Sequence, residues 1–378
     1  MDTQQSQAAG LYIHVPFCLS RCAYCDFYSV TDTGLIEDYT AALLKEIESY
    51  RGQFSTFDTV YLGGGTPSLL PVSRIEAIIA KVHDIFPIQH ASEITMEVNP
   101  ADLNLHDLKR LRGLGINRIN IGVQSLDDGE LTLLGRRHTS PQALHGVEDV
   151  SRAGFDNIGI DLIYGLPGQG LESWHQTLAR AISMDLPHLS CYELELKDCT
   201  PLGRRCLSRE LPVHTEERLR EFFMSTSERL EDSGYIHYEI SNFAKGMVHA
   251  SGHNRKYWDH TPYLGFGPSA HSFKPNMRWW NHESLAEYLH CLDNAELPVS
   301  ACETLDNEQL CMEAWFLGLR TKKGIDLKAF QQRYGPDLMK EKGPALRKLA
   351  EAGLIGLDSG FVRPTRSGMA VCDALALV

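Results

Sequence analysis

The chain has 378 residues, of which 43% are hydrophobic, so it is long enough for two or three domains with a full apolar core. Its formal net charge of −13 at pH 7 argues against nucleic-acid binding as its main function, because phosphate recognition needs a local excess of Lys and Arg. The polar leader Met1–Gly10 lacks a secretory pattern, and no run of about 18 apolar residues predicts a transmembrane helix. We therefore expect a cytoplasmic protein. Peripheral membrane contact and a homodimer are both compatible with the sequence.

Apolar runs alternate with amphipathic helical segments from residue 11 to about residue 195. Helical periodicity is clear in Ile36–Tyr50 and Arg74–Ile85. Strands that alternate with helices favour βαβ units and a parallel sheet. Six such units, with polar or glycine-rich loops after the strands, predict an α/β fold built on a partial (β/α)6 barrel of the TIM type. The predicted strands are Leu11–Val15, Thr59–Leu62, Ile94–Val98, Ile119–Val123, Ile158–Ile163 and Leu189–Leu194.

The alternation ends after about residue 200. We expect a long helix at Thr215–Asp232, a strand at Tyr235–Ile240, and then a stretch rich in Gly, His and aromatic residues. From about residue 300 the pattern is of helices followed by a hairpin, which is typical of a winged helix. The predicted helices are Gln309–Leu319 and Pro344–Glu351, and the hairpin strands are Gly353–Leu357 and Phe361–Pro364. This divides the chain into a barrel domain (1–200), a barrel extension (201–299) and a C-terminal winged-helix-like domain (300–378).

Three of the ten cysteines lie close together in HVPFCLSRCAYCDF, at Cys18, Cys22 and Cys25. Their spacing is C-x3-C-x2-C. Three thiolates cannot complete a tetrahedral zinc site alone, but they can hold three irons of a [4Fe–4S] cluster and leave the fourth iron open. The loop also follows the first predicted strand, where sites in such barrels lie. The alternative is a chance group of thiols. The other seven cysteines have no metal-like spacing, and we expect no disulfide framework.

Other polar and glycine residues follow the next strands. In YLGGGTPS, Gly64 and Gly65 lack a Cβ and would let the backbone approach a ligand closely, with Thr66 beside them. Glu97 lies in the apolar run TMEVNP, where a carboxylate is costly to bury without a partner.

Three more polar residues lie in or after the predicted strands: Gln124 ends the fourth strand, Arg136 follows it, and Asp161 lies in the fifth. Each alone is also compatible with a structural role. Arg136 is equally compatible with a surface charge, because Arg137 and His138 adjoin it.

Together, these motifs resemble the radical S-adenosylmethionine (SAM) superfamily. In that superfamily three cysteines hold a [4Fe–4S] cluster, whose open iron binds the amino and carboxylate groups of SAM. The resemblance implies that Tyr24 lies near adenine, that the glycine motif contacts the aminoacyl end, and that the partner of Glu97 is a SAM ribose or amino group. The SAM-binding positions that it implies are Tyr12, Tyr24, Gly64, Gly65, Thr66, Glu97, Gln124, Arg136 and Asp161.

Nearly the whole chain is similar to the HemN-like branch of that superfamily, named after the oxygen-independent coproporphyrinogen III dehydrogenase. The enzyme carries a fourth cysteine two residues after the third, where this chain has Phe27, and only a short segment precedes Tyr12. Both departures weaken the prediction of that activity. A SAM-dependent coproporphyrinogen dehydrogenase therefore stays as the alternative function, and whether the protein is an enzyme is left open.

The segment HNRKYW contains groups suited to heme. An imidazole such as His253 can ligate heme iron, Arg255 and Lys256 can pair with propionates, and Tyr257 and Trp258 can lie against the porphyrin. With Asn254, the segment resembles the HNRxYW signature of the HemW subgroup, whose members bind heme and deliver it to heme enzymes.

That resemblance implies a heme chaperone with respiratory enzymes as acceptors, whose cluster serves dimerisation, redox gating or SAM sensing. Other ligands remain open for the iron, namely His249, His260, His271 or a cysteine. A hydrogen-bonded corner of the core is the structural alternative for the motif. A nucleic-acid regulator that uses the winged helix is the weakest hypothesis, given the acidic balance of the chain.

Overall fold

The computed structural model describes residues 8–102 and 104–378. Most of the polar leader considered above, residues 1–7, lies outside the described residues. The described strands are β1 (Ala9–Val15), β2 (Phe57–Gly64), β3 (Ile88–Val98), β4 (Arg118–Gln124), β5 (Asn157–Tyr164), β6 (His188–Glu193), β7 (Ile236–Glu239), β8 (Asn242–Ala244), β9 (Tyr263–Phe266), β10 (His271–Lys274), β11 (Met277–Asn281), β12 (Val299–Thr304), β13 (Ile325–Asp326), β14 (Ile355–Asp358) and β15 (Phe361–Pro364).

Helices connect most of these strands, and none of the described helices is long and apolar enough to cross a membrane. Short 3-10 helices occupy Thr33–Leu35, Pro67–Leu69, Pro100–Asp102 and Met247–His249. The α-helices are α1 (Ile36–Ser49), α2 (Val72–Ile85), α3 (Leu105–Gly113), α4 (Asp128–Leu134), α5 (Ser140–Arg152), α6 (Leu171–Ser183), α7 (Pro201–Leu207), α8 (Glu216–Asp232), α9 (Gly252–Trp258), α10 (Leu285–Asp293), α11 (Asn307–Gly318), α12 (Leu327–Tyr334), α13 (Leu338–Glu351), α14 (Arg366–Met369) and α15 (Cys372–Ala376).

Twelve strands form one sheet in the order β12-β11-β10-β9-β1-β2-β3-β4-β5-β6-β8-β7. Strands β1 to β6 run parallel in sequence order, and β9 adds a parallel strand beside β1. The other neighbour of β6 is β8, which runs antiparallel to it. Since β1 and β6 are not neighbours, the barrel does not close. The predicted partial (β/α)6 barrel is confirmed, and each of its six predicted strands lies within or overlaps an observed one.

The barrel strands bury different side chains on their two faces. In β1, Leu11, Ile13 and Val15 belong to the main hydrophobic core together with residues of α1 and α2. Because side chains alternate along a strand, Tyr12 and His14 lie on the opposite face, inside the barrel. The outer face is therefore packed with aliphatic groups, whereas the interior holds polar and aromatic groups that need partners.

A second hydrophobic core lies near the C-terminus, around Trp315, Phe330, Leu346 and Val362. Its sheet has the order β13-β15-β14, and the elements follow one another as α11, β13, α12, α13 and the β14–β15 hairpin, as a winged helix requires. The helix predicted from Pro344 begins earlier, at Leu338, with the proline inside it. The division at residues 200 and 299 remains a prediction.

Glu46 of α1 is fully buried and joins three other segments. Its carboxylate accepts hydrogen bonds from the backbone N–H of Gly267 at 2.9 Å, the side-chain amide of Asn281 at 2.6 Å and the hydroxyl of Tyr288 at 2.6 Å. Burial raises the pKa of Glu46 to about 7, although these hydrogen bonds favour the charged form. The network fixes the strands added beside β1 to the first helix of the barrel.

We predict that Glu46→Ala lowers the free energy of unfolding by roughly 3–5 kcal/mol, because three buried donors lose their acceptor. Glu46→Gln should cost less. The folded-state pKa lies above the ordinary value of 4.5, so the contribution of Glu46 to stability is lost as pH rises through about 7. Urea unfolding at pH 5, 6 and 7.5 should show a smaller decline for Glu46→Gln than for the wild type. An unchanged decline would contradict this assignment.

Candidate functional site

A cavity of about 380 Å³ lies at the carboxyl ends of the parallel strands. Residues that follow β1, β2, β3, β4 and β6 contribute to its wall, as the βα-loops do in barrel sites. The three cysteines predicted to hold a cluster all line it, together with eight of the nine predicted SAM-binding residues: Tyr24, Gly64, Gly65, Thr66, Glu97, Gln124, Arg136 and Asp161. The cavity therefore brings together predicted residues that lie up to 143 positions apart in the sequence, from Cys18 to Asp161.

Backbone hydrogen bonds hold the cysteine loop at its base and at its middle. The N–H of Cys18 donates to the carbonyl of Val30 at 3.0 Å, and the N–H of Val30 donates to that of Pro16 at 2.7 Å. Further along, the N–H of Ala23 donates to the carbonyl of Leu134 at 2.9 Å. Cys18, Cys22 and Cys25 are free and partly exposed. The loop thus presents three thiols to the cavity from a fixed frame.

The three thiols are of the donor type that a [4Fe–4S] cluster takes. Within the described residues, no three His, Cys, Asp or Glu side chains are grouped so that they could hold one ion. Ligands of a [4Fe–4S] cluster bind different irons and stand further apart. Cys18, Cys22 and Cys25 would be those ligands, and the cluster would supply the open iron.

Arg136 contacts the cysteine loop directly. Its Nη1 donates to Cys22 Sγ at 3.4 Å, and its Nη2 donates to the carbonyl of Gly122 at 2.6 Å. Across the cavity, the hydroxyl of Thr66 lies 3.5 Å from Cys18 Sγ. The guanidinium is thus in direct contact with one of the three predicted cluster ligands. Arg136 is therefore not the surface charge that its basic neighbours in the sequence allowed.

The glycines after β2 are needed for packing against β1. Gly64 has a φ of +107°, and a Cβ there would lie 2.8 Å from the His14 ring. A Cβ at Gly65 would lie 2.7 Å from the carbonyl oxygen of Phe17. These contacts are with the protein itself, so packing against β1 alone already requires glycine at both positions, and close approach to a ligand stays a prediction.

Two partly buried carboxylates, Glu97 and Asp161, lie at the floor of the cavity. Glu97 accepts a hydrogen bond from the Tyr61 hydroxyl at 2.7 Å and a longer one from the Gly64 N–H at 3.3 Å. Burial raises its pKa to about 7, and nearby Asp161 adds to this rise. Asp161 accepts from the Asn120 amide at 2.6 Å, while its Oδ1 finds no hydrogen-bond partner among the described residues. A cationic or hydroxyl-bearing ligand would lower the cost of removing both carboxylates from water.

Tyr12 is the predicted SAM residue that does not line this cavity. Its ring lies 6.1 Å from that of Tyr61 and 6.2 Å from that of His253, deeper in the barrel. In contrast, Asn99 after β3 and Tyr192 and Glu193 at the end of β6 line the cavity without having been predicted. Their position at strand ends was the available signal.

The HNRKYW motif forms α9, which packs against β1 and β2. Its N-terminus is held by Glu93, whose carboxylate accepts from the N–H groups of Gly252 and His253, both at 3.0 Å. The side chain of Lys256 reaches Asp58 and the carbonyl of Ala8, both at 2.6 Å. Because Ala8 and Asp58 adjoin the starts of β1 and β2, α9 lies at the end of the barrel opposite the cysteine loop.

His253 lies inside the barrel with only 1% of its surface exposed. Its Nδ1 lies 2.9 Å from the hydroxyl of Thr59 and its Nε2 lies 3.0 Å from that of Tyr257. Its ring is stacked on that of Tyr61 at 5.0 Å. Burial lowers its pKa to about 3, so the ring is neutral. Both nitrogens are engaged, and in this conformation the predicted heme ligand has the geometry of the hydrogen-bonded core corner.

The other predicted heme residues are divided between environments. Asn254, Arg255 and Trp258 are partly buried, and Trp258 Nε1 has no hydrogen-bond partner in the described part of the chain. Lys256 is engaged in the contacts given above, which leaves it unavailable to a propionate. Tyr257 lines a second cavity, separate from the one that holds the cysteines. In this structure the residues of the motif are therefore divided between the barrel interior, where His253 lies, and the second cavity, which Tyr257 lines.

The fold and the cysteine cavity define a radical SAM protein of the HemN type. The family model for the radical SAM superfamily matches residues 12–181, and that for the HemN C-terminal domain matches residues 305–371. The solved structure of coproporphyrinogen III oxidase (HemN) from Escherichia coli superposes with a TM-score of 0.86 over 98% of this chain and 90% of that one, at 24% identity.

Sequence relatives narrow the class further. The heme chaperone HemW of Lactococcus lactis is 33% identical over 94% of this chain and 93% of its own length. That of Bacillus subtilis is 32% identical over 94% of this chain and 95% of its own length. The chain belongs to the HemW family.

We predict that replacing Cys18, Cys22 or Cys25 singly by Ala removes nearly all cluster iron after anaerobic reconstitution, because each thiolate would hold one iron. Iron and sulfide content and the visible absorption of the cluster measure this. Cys199→Ala is the matched control, since Cys199 is exposed and does not line the cavity. Full iron content in any of the three variants would exclude that residue as a ligand.

We also predict that Glu97→Gln weakens SAM binding about 10- to 150-fold, the value of a hydrogen bond to a charged group. Isothermal titration of the reconstituted protein with SAM tests this. Glu195→Gln removes the same charge from an exposed residue of the cavity wall and should have little effect. Equal losses in both variants would indicate a general charge effect instead of a specific contact.

Proposed function

We propose that this protein is a heme chaperone, which binds heme and transfers it to heme-requiring proteins such as respiratory enzymes. The observation that carries the proposal is family membership over almost the whole length of relatives named as heme chaperones. Phe27 supports it, because this exposed phenylalanine stands where the HemN-type enzyme carries its fourth cysteine. A cytoplasmic location and a homodimer remain predictions.

A [4Fe–4S] cluster on Cys18, Cys22 and Cys25, with SAM beside it, is part of the same proposal. The cavity wall combines three thiols, the Arg136 guanidinium and two carboxylates whose pKa values burial raises. SAM carries an amino group, a carboxylate, a ribose and an adenine. Glu97 and Asp161 suit the amino and hydroxyl groups, and Tyr24 suits the adenine.

The cysteine cavity and the second cavity, which Tyr257 of the HNRKYW motif lines, share no residue, so we expect that heme binding does not need the cluster itself. This separation gives the proposal a test that distinguishes a chaperone from an enzyme. In this proposal the cluster serves dimerisation, redox gating or SAM sensing.

We predict that the wild-type protein binds hemin in a one-to-one complex with a shifted Soret band, and that a Cys18→Ala, Cys22→Ala, Cys25→Ala triple variant does so as well. Anaerobic titration followed by absorption measures both. Transfer is then measured by mixing the complex with an apo-cytochrome and following its spectrum. If the wild type shows no saturable shift, the chaperone proposal fails.

SAM-dependent coproporphyrinogen dehydrogenation is the second function considered, because the SAM-compatible residues of the cavity are present. Anaerobic incubation of the reconstituted protein with SAM, a reductant and coproporphyrinogen III tests it directly. Formation of protoporphyrinogen IX would revive this function. Its absence, together with hemin binding, would leave the chaperone proposal alone.

A further inference from the structure

A second cavity, of about 470 Å³, lies between the barrel extension and the C-terminal helices. Its volume is within the range of small-molecule sites. Most of its wall is apolar or aromatic, and its polar side chains include His260, Arg278 and Glu313. The apolar part includes Tyr257, Tyr263, Phe273, Met312, Phe316 and Leu317.

His260 is the polar group in this wall with unused binding capacity. Only 6% of its surface is exposed, and its ring is stacked on Phe273 with centroids 4.6 Å apart. Its Nδ1 lies 3.1 Å from the hydroxyl of Tyr334. Its Nε2 has no hydrogen-bond partner among the described residues, although Glu313 Oε2 lies 3.4 Å away. Nδ1 is thus held by a hydrogen bond within the protein and Nε2 is available to a ligand, as in many metal-binding histidines.

The backbone of His260 has an unusual conformation for a residue other than glycine. The residue follows α9 with a φ of +53°, and the N–H of the next residue, Thr261, donates to the carbonyl of Lys256. This is a helix C-terminus at which glycine is the usual residue, because the left-handed conformation is costly for other side chains. The positive φ directs the His260 side chain away from the helix that precedes it, and the ring lies in the wall of the cavity.

The mouth of the cavity is apolar. Met312 is 63% exposed and Leu377 is 89% exposed, and both line it. Apolar groups exposed around a concave site favour an apolar or amphipathic ligand. Arg278 contacts Glu303 and Glu313, both at 2.7 Å, so it is already neutralised. A ligand with carboxylates would therefore direct them outward to water, with its apolar body inside.

We propose that this second cavity is the heme site and that His260 Nε2 ligates the iron. The inference rests on the proposed function and names the site that the function needs. The porphyrin lies among the aromatic residues of the wall, and its propionates point to the mouth. Glu313 turns away from Nε2 and keeps its ion pair with Arg278. Because helices of the C-terminal region form one side of the cavity, movement of that region would release the ligand.

His260→Ala tests the ligand, with His253→Ala as the matched histidine control. The probe is hemin, and the readouts are its affinity and the ligand-field bands of the complex. We expect His260→Ala to bind hemin roughly 10- to 100-fold more weakly, with an altered spectrum that added imidazole restores. We expect His253→Ala to keep the spectrum of the wild-type complex. Wild-type spectrum and affinity in His260→Ala would overturn the inference and leave the chaperone proposal standing.

A surface variant provides a second test that does not depend on the buried ring. Met312→Glu puts a negative charge at the mouth and should weaken hemin binding about tenfold or more, because it opposes the propionates and removes apolar contact. Met247→Glu is its control, since Met247 is 45% exposed and lines neither cavity. Equal affinities of the two variants would count against the second cavity. Absence of hemin binding by the wild type would instead overturn the chaperone proposal itself.

Discussion

The polar groups inside the barrel must find partners within the chain, because the interior is shielded from water and an unpaired polar group there is costly. Tyr61 makes two such contacts, one through its hydroxyl and one through its ring. Its hydroxyl donates to Glu97 at the floor of the cysteine cavity, and its ring is stacked on His253 of α9. The conformation of the cavity floor therefore depends on the helix at the other end of the barrel, through a single tyrosine.

This arrangement also explains why the barrel can remain open. An incomplete barrel has a free strand edge and an interior that water could enter. Strand β9 pairs with the edge of β1, and α9 fills the interior below the cavity. Glu46 then fastens the chain after β9 to the first helix of the barrel. Residues after position 200 thus cover the edge of β1 and contact the first helix of the barrel, although none of them lines the cysteine cavity.

Much of the fold was predictable from the sequence, because strand and helix periods are local properties. The six barrel strands, α8 and the C-terminal hairpin follow from them. The small strands β8 to β12 were not predictable, since most are five residues or fewer and are fixed by pairing with distant segments. The cysteine cavity was predictable because its residues sit at strand ends, where a parallel barrel gathers them. The orientation of Tyr12 and His253 was not, because it depends on how α9 enters the barrel.

The environment of His253 changes what a mutation in the HNRKYW motif would mean. His253 holds Thr59 and Tyr257 and packs against Tyr61, so its loss would disturb α9 and the residues positioned by that helix. Among these are Tyr257 and His260, which line the second cavity. A loss of heme affinity in a His253 variant would therefore not identify this histidine as the iron ligand. The coordination spectrum separates the two roles, because removing a ligand changes which atom binds iron, whereas disturbing a support lowers affinity and leaves the ligand in place.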